Sequence, residues 1–363
     1  MILNQLTIVN YKNIADARLE FAPKLNCLIG NNGMGKTNVL DAIYYLSLCR
    51  SHTGQPDQTV IAHDADYMML QGQYTRRGVA EDVTIGLQRG KRKTIRRAGK
   101  EYKRLSLHIG LLPVVLISPA DADLISGGSE HRRRLMDMII SQGDSDYLAT
   151  LIRYNKALEQ RNSMIRNEMS DPLLYETVEH VMCDAAALIH ARRLAWATEF
   201  APIFNDHYRA IAGSDEAVTI VYTSHLSDAP LAWHLNETRA RDLAIGYTTR
   251  GIHRDDITLS LGAHPMRLTA SQGQRKTYTV ALRLAQFDFM ARQSATTPIL
   301  LLDDVFDRLD ATRVENIMRV VATPRFGQIF VTDTNRDHLD RILNTISGDN
   351  ALFHVNHGNI TNQ

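Results

Sequence analysis

The sequence predicts an α/β fold with a helical second lobe, and three stretches carry that reading. First, Lys24–Ile29 is a short apolar-rich run that reads as a strand. It enters the glycine-rich loop Gly30–Thr37, and Val39, Leu40, Ile43, Leu46 and Leu48 then recur at roughly helical spacing. Second, Pro298–Asp310 (PILLLDDVFDRLD) drives four apolar residues into Asp303 and Asp304, as a buried parallel strand does. Third, the chain from about Ser129 to Ala212 has few helix breakers. With 363 residues there is enough chain for two lobes.

Taken in order, Ile2, Leu6, Ile8 and Val9, then Ala17, Leu19 and Phe21, alternate like sheet around a turn at Lys12-Asn13. Tyr67–Tyr74 and Val83–Leu87 are β-like, and Lys91–Arg104 is a basic hairpin turning at Ala98-Gly99. Pro113–Ser118 reads as a buried strand. Two helices follow, separated at Asp171-Pro172. One apolar face is predicted at Leu148, Leu151, Ile152, Leu158 and Ile165, the other at Val181, Ala185, Leu188, Ile189 and Ala195. Sheet resumes at Ala217, and Gln328–Val331 is the last predicted strand. The expected division is a discontinuous head, 1–118 and 213–363, around a helical lobe, 119–212.

The net charge of +1 supplies no global basic field, so any nucleic-acid contact has to be local. Cys27, Cys49 and Cys183 lack metal-ligand spacing and fit reduced thiols. The first residues carry no signal-peptide pattern, and no apolar run approaches the ~20 residues of a spanning helix. The expectation is a cytoplasmic protein with no membrane partner.

Gly30, Asn31, Asn32, Gly33, Met34, Gly35, Lys36 and Thr37 spell G-x-x-x-x-G-K-T. Glycines let backbone N–H groups close around phosphate oxygens, and the following helix start adds its positive dipole end. Lys36 can reach the terminal phosphates of a nucleoside triphosphate, and the Thr37 hydroxyl can ligate Mg²⁺. A chance glycine turn would not also supply the strand, the helix, Lys36 and Thr37. Asp303 is placed to hold Mg²⁺ opposite Thr37, and Asp304 to polarise the attacking water as a general base. The expected ligands are therefore ATP and Mg²⁺.

Ser271-Gln272-Gly273-Gln274 precedes a helix, so Ser271 is at least an N-cap. Its S-x-G-Q pattern, just before the Asp303 strand, resembles the signature motif of the ABC ATPase superfamily. That resemblance implies that Ser271, Gln272 and Gly273 face the γ-phosphate held by a second copy, so that two chains meet head to tail around two nucleotides. Asp307-Arg308-Leu309-Asp310 then matches the D-loop at the dimer seam. Thr332-Asp333-Thr334 stands where transport-type ATPases carry a histidine, which weighs against a transporter subunit. A P-loop small-molecule kinase, the other alternative, has no use for the SQGQ element.

The loop and the Asp303 strand lie at opposite ends of the chain, as in SMC-type proteins. Here the insert is only about eighty residues, and two helices of about thirty at ~1.5 Å per residue reach some 45 Å, a lobe and not a long arm. The fold class is thus a P-loop ABC/SMC-type ATPase head with a helical second lobe. Over essentially its whole length the chain resembles the RecF family of bacterial SMC-like DNA-repair ATPases. The resemblance rests on Tyr11–Ile14, Gly30–Thr37, Ser118-Pro119 with Asp121, Ser129–Asp137, Tyr154–Asn162, Gly251–Asp256, SQGQ and LLLDD, in that order. Val115 departs from a glutamine found in some relatives and puts that metal or water contact in doubt. The resemblance implies an ATP-dependent homodimer that grips DNA beside single-stranded gaps, hydrolyses ATP slowly and releases. It also implies work with RecR and RecO in loading RecA.

Lys12 and Asn13 sit where SMC-type heads place phosphate-contacting residues. Lys91–Arg104, with eight basic residues and one acid, is open to three roles: a solvated hairpin, a DNA contact or a nucleotide lid. Arg132-Arg133-Arg134 suits either ion pairs with neighbouring acids or DNA. Arg254, Asp255 and Asp256 read as a local ion-pair set, and Trp196 and Trp233 as core residues.

Overall fold

Apolar runs without polar alternation have two faces to bury, and the central sheet covers both. The computed structural model describes residues 1–362 except 103, 295, 308 and 347, and only the backbone at 337, 338 and 344. Lys103 of the basic run and Arg308 of the D-loop therefore lie outside the described residues. The chain divides into two units: Met1–Ala122 with Asp206–Asp215 and Ser271–Gln363, and Asp123–Asn205 with Glu216–Ala270.

The first unit contains two six-stranded sheets. The central one runs Asn359–Asn362, Asn350–Asn356, Leu25–Ile29, Ile329–Asp333, Ile299–Asp303, Val114–Ile117 across the sheet, parallel except for the first pair. Ile299–Asp303 and Ile329–Asp333 are buried at every position. The other sheet is antiparallel: Ile14–Glu20, Ile2–Tyr11, Tyr67–Arg76, Val79–Gln88, Thr94–Arg97, Lys100–Glu101. The helix Lys36–Leu48 contacts strands of both sheets, and eleven of its thirteen residues are buried, which is why its sequence is apolar nearly all round. The buried Gln328 amide joins the sheets further: it accepts from the Leu3 N–H at 2.7 Å and donates to the Leu3 and Ala22 carbonyls, each at 2.9 Å.

The second unit is built on Ser129–Gly143, Ser145–Arg166, most of Pro172–Ala212 and Leu231–Ile245, with a three-stranded sheet of Val218–Thr223, Asp256–Leu261 and His264–Pro265. Asp144 caps the second helix by accepting from Tyr147 N–H at 2.8 Å, and the expected break at Asp171-Pro172 starts the third.

Three expectations change here. The boundary expected at 212/213 is replaced by a second unit that also takes in Glu216–Ala270. The reason lies in two buried arginines whose partners straddle that point. Arg161 donates to Glu179, Asp242 and Thr248 at 2.8–2.9 Å, and Arg193 to Asp137 at 2.9 Å and Asp255 at 2.6 Å. Secondly, the buried helix faces follow these arginines. They are Tyr147, Thr150, Tyr154, Ala157, Arg161, Met164 and Ile165, then Met182, Ala185, Ala186, Ile189, Arg193 and Trp196; Ile165, Ala185 and Ile189 are buried as expected, while Ile152, Leu188 and Ala195 are exposed. An apolar stripe drawn without the arginines catches only part of the true one. Lastly, Trp196 is core, but Trp233 is 54% exposed and lies edge-on to His234.

Candidate nucleotide site

The strand Leu25–Ile29 ends in the loop, and the loop ends on a helix whose N-cap, Gly35, has no side chain to satisfy the first N–H groups. Gly35 has φ of 115° and Gly33 of 79°, conformations an L side chain resists. A Cβ on Gly35 would meet the Asn13 amide at 2.9 Å, and one on Gly30 would collide with the Val355 carbonyl. The loop thus keeps bare backbone where phosphate oxygens fit. Lys36 Nζ lies within the loop's own ring, donating to the Gly30 carbonyl at 2.8 Å and the Asn31 carbonyl at 3.1 Å.

Sheet order brings Asp303 to Thr37. The strands ending in Ile29 and Asp303 flank Ile329–Asp333, whose Thr332 pairs with Asp303 on one side and Leu28 on the other. Thr37 Oγ1 donates to the two Asp303 oxygens at 2.9 and 3.0 Å, and Thr332 Oγ1 donates to Asp303 Oδ1 at 2.8 Å. This is a hard-oxygen pair suited to a small divalent cation. Among the described residues no group of three or more His, Cys, Asp or Glu could hold a metal ion, so a cation here would need phosphate oxygens as well.

Asp304 is half-buried and left-handed, at φ 46°. Its N–H donates to Thr332 Oγ1 at 3.1 Å, and its carbonyl accepts from Lys276 Nζ at 3.4 Å. Burial first, then the Asp303 charge beside it, push its carboxyl above the ordinary value, the direction a general base needs. Strain of this kind costs roughly 1–3 kcal/mol and is held in place by the surrounding contacts.

Asn13 and Lys12 separate in role. Asn13 Nδ2 donates to the Met34 carbonyl at 3.2 Å and its Oδ1 accepts from Asn38 at 2.7 Å, so it holds the loop directly. The Lys12 ammonium instead lies 2.5 Å from the wholly buried Asp41 on the loop helix. Asp41 also accepts from Tyr11, Ser51 and His52. Burial alone would raise that carboxyl; the hydrogen bond from His52 and the charge of Lys12 hold it well below the usual range instead.

Ser271 caps the helix Gln272–Gln293 in a reciprocal box: Gln274 N–H donates to Ser271 Oγ at 3.2 Å, and Gln274 Oε1 accepts from Ser271 N–H at 2.9 Å. Ser271 and Gln272 are exposed, and a Cβ on Gly273 would collide with the Arg313 guanidinium. Arg313 N–H in turn donates to Asp310 of the D-loop segment at 2.9 Å.

Sequence reasoning missed the turn His357-Gly358 of the last hairpin. Gly358 N–H donates to the Met34 carbonyl at 2.9 Å and His357 N–H to Met34 Sδ at 3.4 Å. It also missed Asp41 and the role of the Thr332 hydroxyl on Asp303, both of which position rather than hold. Two doubts resolve. Val115 is fully buried in mid-strand beside Leu300, so in this chain it is a core residue. Arg254, Asp255 and Asp256 are not a local ion-pair set. Arg254 lies over the Tyr247 ring at 5.2 Å, Asp255 pairs with Arg193 and Asp256 with Arg132. Of the basic residues at 132–134, Arg132 donates to Asp256 and Arg133 to the Asp255 carbonyl, each at 2.7 Å, while Arg134 is exposed beside Glu130. In the basic hairpin, Ala98 and Gly99 are both left-handed, as a tight turn requires. Lys93 is bound to Asp57 and Arg97 to Glu81, leaving the other described cations exposed.

Residues 2–352 match the family model described as RecF/RecN/SMC N terminal domain. A DNA replication and repair protein RecF of Parabacteroides distasonis is 50% identical over 360 residues, covering 99% of each chain. That of Bacteroides fragilis is 49% identical over 362 residues, covering 99% of this chain and 98% of its own. A solved structure of the recombination mediator protein RecF with ATP, in the RecFOR pathway, superposes with a TM-score of 0.90 at 26% identity, covering 100% of this chain and 97% of that one. An Smc head domain from Pyrococcus furiosus shares the fold at a TM-score of 0.59 and 14% identity, covering 100% and 96%.

Proposed function

This chain belongs to the RecF family of DNA replication and repair proteins, and from that membership we propose that it is an ATP-operated DNA clamp. ATP lies in the Gly30–Thr37 cradle, with Lys36 on its terminal phosphates and Asn13 fixing the loop. Lys12 reaches the phosphates by exchanging Asp41 for them. Thr37 and Asp303 are the residues that would hold Mg²⁺, which would supply neutralisation of phosphate charge. Asp304 takes the proton of the attacking water, and its raised pKa keeps it a stronger base than an ordinary aspartate.

The observation that carries the reading is that the chain holds both halves of such a site. Thr37 is bonded to Asp303 at the end of the phosphate loop, with Asp304 next in the chain, while Ser271 and Gln272 stand exposed at the start of their helix. A second copy's nucleotide is the partner that this helix start suits. The dimer closes on duplex DNA beside a single-stranded gap, slow DNA-stimulated hydrolysis opens it, and RecR and RecO act with it to load RecA. That work is cytoplasmic; among the described residues no helix is long and apolar enough to cross a membrane.

Light scattering with ATP, with and without gapped duplex, tests this. The wild type should double in mass, Asp304→Asn should stay doubled for longer, Lys36→Met should not dimerise, and Ser271→Arg should bind nucleotide but remain single. Normal dimerisation of Ser271→Arg refutes the shared site.

A further inference from the structure

The antiparallel sheet has one face without a cover. Its inner residues, Leu70, Ile85 and Ile95 among them, are buried, and the alternate residues point outward. On that outer face Met69, Gly86 and Thr94 stand in a row across three strands. Gly86 has no side chain, so the row dips into a groove of about 420 Å³. Tyr67, 51% exposed, forms one wall. Lys91, Arg92 and Arg96 form the other; all three are exposed, and Glu101, the cross-strand neighbour of Arg96, is the acid set beside them.

An apolar floor, an exposed ring and a line of exposed cations, three against one acid, together match one chemistry. Bases stack on an aromatic wall in a sequence-tolerant way, while cations follow the backbone phosphates. Duplex DNA keeps its bases stacked inside and offers no ring to Tyr67. We infer that this groove takes a short run of single-stranded DNA, the unpaired arm of a gapped substrate. The inference rests on the DNA-clamp reading and assigns it a second contact, separate from the nucleotide site.

The test uses the full chain with ATP and Mg²⁺. Fluorescence anisotropy is read with labelled oligothymidylate and with a blunt duplex of equal length. Tyr67→Ala should weaken oligothymidylate binding by roughly tenfold, the scale of one lost base stack, and leave its salt dependence unchanged. Arg92→Glu with Arg96→Glu should weaken it and flatten the slope of log K against log salt by about 1.4, two phosphates at ~0.7 each. Duplex binding and ATP-dependent dimerisation should be unaffected in both, since the substituted side chains are exposed. Ultraviolet cross-linking of the oligothymidylate should map to the peptide Tyr67–Arg76. Unchanged oligothymidylate binding in both variants overturns the groove, as does an equal loss for duplex, which would make it a duplex surface. A wild-type chain that binds neither DNA overturns the clamp reading along with it.

Discussion

Replacing Asp41 by asparagine keeps the shape of the side chain and removes its charge. In the native structure Oδ1 accepts from the His52 N–H and ring at 2.8 and 2.7 Å, and Oδ2 accepts from Tyr11 and Ser51 at 2.7 Å each, with Lys12 at 2.5 Å. An amide has one oxygen. Turned toward His52, it sets an NH₂ group against three donors. Ser51 can turn to Thr53, at 2.9 Å, and Lys12, 15% exposed, can reach water. Tyr11 is fully buried and has no such exit. One stranded buried hydroxyl costs about 1–3 kcal/mol, and breaking a largely buried ion pair about 3–5 kcal/mol; Lys12's partial escape places Asp41→Asn at about 3 kcal/mol. Urea unfolding followed by circular dichroism measures it. ATP affinity should fall too, because the same network sets the turn that carries Asn13 to the Met34 carbonyl. Folding lowers this carboxyl's pKa, so its contribution is present above the unfolded value of 3.8 and is lost only as pH falls below it; the difference between the two proteins should be constant above about pH 5. A loss under about 1 kcal/mol with unchanged ATP affinity would refute the reasoning.

His253 is partly buried, donating from Nε2 to the Thr248 carbonyl at 3.0 Å and accepting from the Tyr154 hydroxyl at 2.8 Å; desolvation pulls its pKa down to about 4 from 6.5. The unfolded chain binds that proton first, so stability should be full above pH 6.5 and fall by on the order of 3 kcal/mol towards pH 4, and His253→Gln should flatten the curve in urea titrations. Arg193→Met should cost about 3–5 kcal/mol by leaving Asp137 and Asp255 unpaired, and Asp255→Asn in the same chain should recover part of it. Gly358→Val puts a branched side chain at φ 80° against the Asn13 carbonyl; binding of a fluorescent ATP analogue should weaken about tenfold, from ~1–2 kcal/mol of left-handed strain passed to the loop, with the circular dichroism unchanged. The acid limb of ATP turnover should lie above 3.8, the ordinary aspartate value, because Asp304 must be ionised to act as base; a limb at or below it assigns the base elsewhere.

What could be read from the sequence was what chemistry writes locally. Gly30–Thr37 and Asp303-Asp304 need particular residue types at adjacent positions, and the apolar residues of the loop helix are all buried as their spacing foretells. Ser271 was legible as a cap because the box closes within four residues. The partners that lie far apart left no such mark. Met34 and Gly358 are joined by ordinary peptide groups, which any sequence carries. Arg161 and Arg193 interrupt an apolar stripe that a hydrophobicity count would keep whole, and the same two residues explain why Glu216–Ala270 was assigned to the wrong unit. Thr332 was noticed for the histidine it replaces, whereas its hydroxyl is what orients Asp303.

The nucleotide strand Leu25–Ile29 is made early in synthesis, yet both of its neighbours, Ile329–Asp333 and Asn350–Asn356, come more than three hundred residues later. A ribosome-bound chain holding only the first half carries every residue of the phosphate loop with neither flanking strand to support it. The strands that frame the phosphate loop are therefore complete only near the close of translation, when residues 329–358 arrive. An interrupted product would retain the motif and lack the two strands that frame it.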